Sequence, residues 1–73
     1  MEIEVGKIGK IVAGQEQGCY VKVIDDEVNT GGFLILTATA PDMLAGFDSW
    51  VEDREILQRF FEEAEWLIEW ERD

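Results

Sequence analysis

No histidine occurs in the 73 residues, and Cys19 is the only cysteine. The first absence removes the usual acid–base group near neutral pH. The second removes an intramolecular disulfide and any cysteine-rich zinc site. Cys19 has no imidazole to activate it, and its place in a β-branched, aromatic stretch reads as a buried, inert thiol. Two carboxylates can in principle act as acid and base, but acids are so frequent here that any pair arises by composition alone. A chain this short also encloses a substrate poorly. The expectation is a protein that is not an enzyme and carries no cofactor.

Long apolar runs are missing as well: none approaches the ~20 residues of a membrane span. The segment Met1-Glu2-Ile3-Glu4-Val5 lacks the basic start and apolar run of a secretory signal, so a cytoplasmic location is expected. Positive charge is scarce. Six bases face 17 acids, for a formal net charge of −11. Residues 1–40 hold six acids and three lysines; residues 41–73 hold 11 acids and three arginines. Such a field repels nucleic acid phosphates and anionic membranes and attracts basic proteins and cations. Neither nucleic acid nor membrane is an expected partner; a basic protein is.

What the chain does have is apolar mass. Hydrophobic residues make up 47% of it, including three tryptophans, four phenylalanines and one tyrosine. Each aromatic can bury on the order of 150–250 Å², which argues for a folded core despite the charge. The length allows one domain spanning 1–73.

Ile3 to Ala13 reads as a strand whose two apolar phases require an irregularity, placed at Gly6 or Gly9. Gly14 to Gly18 is a turn. Cys19 to Ile24 is a strand with Cys19, Val21 and Val23 on the core face, opposite Tyr20, Lys22 and Ile24. Asp25 to Gly31 is a polar loop, and Gly32 to Ala38 is the strongest strand, with Phe33, Leu34, Ile35 and Leu36 apolar on both faces. The two strands form a hairpin with a long loop. Ala40 to Trp50 reads as an ordered loop pinned by Met43, Leu44, Phe47 and Trp50.

Asp53 is an N-cap signal. Ile56, Leu57, Phe60, Phe61 and Ala64 then span a helical face about 140° wide. No glycine or proline marks the helix end, which favours a helix continuing with Leu67 and Ile68 on its apolar face and Trp66 and Trp70 on its polar side. A final strand would place Trp66, Ile68 and Trp70 on one face, and the apolar area of two tryptophans favours it. The fold expected is α+β: a small antiparallel sheet of three to four strands with one C-terminal amphipathic helix packed on it.

Candidate sites are few. Asp25, Asp26, Glu27 and Asn29 are oxygen donors in one loop, but they lack the D-x-[DN]-x-[DN]-G calcium pattern and read as a solvated hairpin loop. Asp48, Glu52 and Asp53 read as charges favouring a helix N-terminus. No metal site is expected. Thr30-Gly31-Gly32 precedes a strand and lacks a following lysine, so it is turn geometry rather than a phosphate loop. The aromatics number enough that one core of this size leaves one over for a partner. The candidate partner-binding residues are therefore Asp25, Asp26, Asp48, Glu62, Glu65, Glu69 and Trp70.

Tyr20-Val21-Lys22-Val23, Asp25-Asp26, Thr30 to Leu36, Gly46 to Glu52 and Trp66-Leu67-Ile68-Glu69-Trp70 together resemble a group of small acidic bacterial proteins of unknown function. The resemblance covers most of the chain from Gly18 onward and implies no activity and no functional residues. In size and acidity the chain is similar to the immunity proteins that neutralise bacterial toxins. The leading expectation is a protein-binding domain, an immunity-like inhibitor that occludes a basic toxin or nuclease with its acidic surface. The alternatives are a self-associating domain, a homodimer pairing at the edge of the Phe33–Leu36 or tryptophan strand or stacking across a two-fold axis, and a module responding to a metal or small ligand.

Overall fold

The computed structural model describes residues 3–43 and 46–71. Its elements are β1 (Ile8–Ala13), β2 (Tyr20–Asp26), β3 (Gly32–Ala38), β4 (Gly46–Val51), α1 (Arg54–Glu63) and β5 (Leu67–Trp70). The strands form one sheet in the order β4-β3-β2-β1-β5, every neighbour antiparallel. The fold is thus α+β, with one correction to the expected form: the sheet has five strands. The helix is followed by the final strand, β5.

The additional strand is β4, within the segment read as a loop. Gly46, Asp48 and Ser49 are poor strand formers, and of β4 only Val51 is buried. An edge strand with one core residue has no alternating apolar signature to find. Its pairing with β3 is nevertheless in register throughout, from Phe33 opposite Val51 to Ala38 opposite Gly46. Phe47 and Trp50, expected to pin this segment, are both exposed, and Met43 is half-buried. Leu44 lies outside the described residues.

The first strand is shorter than expected. Gly6 has φ +86° and donates its N–H to the Val23 carbonyl at 2.7 Å, so residues 3–7 form a turn-containing lead-in. The register shift lies between Ile11 and Ala13 where β1 meets β5, not at Gly6 or Gly9. Gly9 serves close approach instead: a Cβ there would collide with Ile68 and with the Trp70 indole, which lie over it.

One face of the sheet is the core. Ile11, Val21, Val23, Phe33, Ile35 and Val51 point to it and meet Leu57, Phe61 and Ala64 of α1 and Trp66 beyond it. The expected core face of β2 is therefore correct for Val21 and Val23; Cys19, just before the strand, is half-buried against the same cluster. Asp53 caps α1, its Oδ1 accepting from the Ile56 N–H at 2.9 Å. Arg54 lies over the Phe33 ring, 5.6 Å from its centroid, at the same end of the helix.

The helix stops without glycine or proline because Glu65 takes the left-handed conformation itself, with φ +57°. The Trp66 N–H then bonds the Phe61 carbonyl at 3.2 Å, and the Glu65 N–H bonds the Glu62 carbonyl at 3.0 Å. This is a Schellman closure with glutamate where glycine is usual. Left-handed backbone costs a side-chain-bearing residue roughly 1–2 kcal/mol, part of which glycine returns through its looser unfolded chain. Glu65→Gly is expected to stabilise the fold by about 0.5–1 kcal/mol in urea denaturation.

Candidate functional site

The helix end is locked to the turn between β1 and β2. The Gln15 N–H donates to the Ala64 carbonyl at 3.0 Å, and Trp66 Nε1 donates to the Gln15 carbonyl at 2.6 Å. Gly14, at φ +97°, passes so close to the Glu65 carbonyl that no side chain fits between them. Glu16 follows in the same turn at φ +60°. Glu62 and Glu65 thus stand at one end of the molecule with Glu63 and Glu16, all four exposed. Sequence reasoning missed Glu16, because only the docking of the turn on the helix brings it there.

This acidic end is electrostatically unfavourable for the chain itself. A helix C-terminus carries partial negative charge, yet the last turn of α1 holds no base. Among the described residues the ion pairs are Lys7–Glu4 at 3.4 Å and Arg59–Glu55 at 3.7 Å. Neither neutralises Glu16, Glu62, Glu63 or Glu65.

An exposed aromatic stands close by. Phe47 on β4 is 78% exposed, and it lines a small recess with Glu16, Cys19, Thr37 and Thr39. Trp70, expected as the leftover aromatic, is half-buried instead. Its ring stacks on Phe61 at 6.4 Å between centroids and covers Gly9.

The other candidate acids are elsewhere. Asp25 and Asp26 end β2 and organise the hairpin loop. Asp25 Oδ1 accepts from the Glu27 N–H at 3.0 Å. The Asp26 carboxylate accepts from Asn29 Nδ2 at 3.2 Å and from Thr30 Oγ1 at 3.0 Å. Both carboxylates therefore serve the turn. Asp48 and Glu69 lie on β4 and β5, the two opposite edges of the sheet. The six acids proposed from sequence do not form one patch.

The face of the sheet away from α1 carries Ile8 and Lys10, then Tyr20, Lys22, Ile24 and Asp26, then Leu34 and Leu36, then Asp48 and Trp50, with Leu67 and Glu69 on β5. Its middle is apolar, with Ile8, Tyr20, Ile24, Leu34 and Leu36 half-buried. Trp50 is 48% exposed but fixed: Nε1 donates to Thr30 Oγ1 at 2.9 Å, and Thr30 is in turn held by Asp26. Its indole lies against Gly32, where a Cβ would come within 2.8 Å of the ring. Among the described residues no helix is long and apolar enough to cross a membrane, and no group of three or more cysteine, aspartate or glutamate side chains is arranged to hold a metal ion.

In comparisons with protein families, curated proteins and solved structures, the chain matches none.

Proposed function

We propose that this protein binds a basic protein partner through the end of the molecule formed by α1 and the β1–β2 turn, occluding it in the manner of an immunity-like inhibitor. The observation that carries the reading is the group of four acids at the helix C-terminus, where the helix dipole opposes them and none of them is held in an ion pair among the described residues. A lysine- or arginine-rich surface would supply that missing charge. Phe47 offers an apolar contact beside Glu16, the pairing of aromatic anchor and charged rim typical of interface hot spots. The recesses along the surface are open to solvent and suit a protein face better than an enclosed small molecule.

Removing the charges is expected to separate stability from binding. Glu62→Gln with Glu63→Gln relieves the dipole and like-charge repulsion, and melting is expected to rise by roughly 2–5 °C in low salt. The gain should shrink as salt is added, because the repulsion is screened. A scan in which the double variant melts no higher than the parent at low salt contradicts the electrostatic account of this end.

A further inference from the structure

We propose that the sheet face opposite α1 is a self-association surface, and that its occupant is a second copy of this chain stacked face to face across a two-fold axis. One-sided antiparallel sheets ordinarily turn a polar face to water. Here the central positions are Ile8, Tyr20, Ile24, Leu34 and Leu36, with Trp50 held rigidly at the edge of the patch. A fixed aromatic loses little freedom on docking.

Charge selects the occupant. Two copies of a chain with net charge −11 repel each other over most orientations. Within the strands, however, this face carries Lys10 and Lys22 against Asp26, Asp48 and Glu69, a net charge of only −1 on a strongly acidic molecule. Stacked sheets lie about 10 Å apart and helices pack about 10 Å beyond them, so the two acidic helices would sit ~30 Å apart on opposite outer surfaces. That exceeds the Debye length of about 8 Å at physiological salt. The area sets the strength. Principal extents of 29 × 24 × 24 Å cap the face at roughly 700 Å², below the ~800 Å² per partner of a standard interface, so the dimer is a weak one in the micromolar range. Edge pairing through the Phe33–Leu36 strand is ruled out by the topology, since β3 lies between β2 and β4.

The test is sedimentation equilibrium of the whole chain from about 5 to about 200 µM in about 150 mM salt. The parent is expected to reach a dimer within this range. Leu36→Lys puts a charge in the apolar centre, and Lys10→Glu with Lys22→Glu makes the face acidic without touching the core. Each is expected to weaken the dimer at least tenfold, and the lysine pair keeps the test decisive if Leu36→Lys melts early. Glu62→Gln with Glu63→Gln is expected to leave the dimer unchanged. A parent that stays monomeric throughout overturns the proposal. So does a dimer that survives the lysine-pair variant, or one lost only when the helix acids are removed. None of these outcomes bears on whether the acidic end binds a basic protein.

Discussion

Trp66→Ala is expected to abolish cooperative folding at 25 °C. The residue is 4% exposed and sits where three parts of the chain meet. Its ring makes edge contacts with Phe60 at 5.6 Å and Phe61 at 4.9 Å between centroids. Its Nε1 holds the Gln15 carbonyl, and its backbone N–H closes the helix. Truncating a buried tryptophan costs about 3–5 kcal/mol, and a single core of this size supplies roughly that much in total. Urea denaturation followed by circular dichroism should show no native baseline for the variant. Trp66→Phe keeps a ring but loses the N–H, so it should fold with a reduced midpoint, by about 1–2 kcal/mol. A Trp66→Ala protein within about 1 kcal/mol of the parent would remove Trp66 from the centre of this account.

Gly14→Ala is expected to cost about 2–4 kcal/mol, and Gly18→Ala only about 1 kcal/mol. The two glycines bracket one turn with nearly the same backbone, φ +97° and +96°. They differ in what a Cβ would meet. At Gly18 nothing lies within 4 Å, while at Gly14 the Glu65 and Ala64 carbonyls stand in the way. The left-handed penalty is common to both, so the difference between the two variants reports the docking of the turn on the helix end. Equal losses would mean that this contact contributes nothing. The same docking brings Glu16 to Glu62 and Glu65, so a turn released in Gly14→Ala should also weaken binding of a basic partner.

The parts of the fold legible in the sequence were those with strong local chemistry. Alternation in β2, the apolar run of β3, the Asp53 cap and the helical spacing from Ile56 to Ala64 all carried through. The final strand followed from where Trp66, Ile68 and Trp70 had to go, and they do face the core. The helix end was hidden because Glu65 adopts a conformation that residue identity disfavours. β4 was hidden because its residues are set by pairing with β3 rather than by burial of their own. The surface was less legible still. Which aromatics are left outside depends on strand pairing: β4 puts Phe47 at the sheet edge and Trp50 on the face away from α1, while β5 lays Trp70 on Phe61. The acids divide among four regions because strand order, unlike spacing, cannot be read along the chain.

Glu62, Glu63, Glu65 and Glu16 form no ion pair among the described residues, and Glu65 adds backbone strain. Acids that cost stability and form no ion pair are the signature expected of a surface kept for binding. Binding and stability should therefore move in opposite directions when they are neutralised.

The most direct measurement captures partners from cell lysate on three tagged baits in parallel: the parent, a Glu16→Gln, Glu62→Gln, Glu63→Gln variant, and a sheet-face Asp48→Asn, Glu69→Gln variant. Elution is by rising salt. The account predicts a basic protein that leaves the parent and the sheet-face variant at the same salt, and that the helix-end variant fails to hold although it melts higher than the parent. A basic protein held equally by all three baits, or no basic protein on the parent, would contradict it.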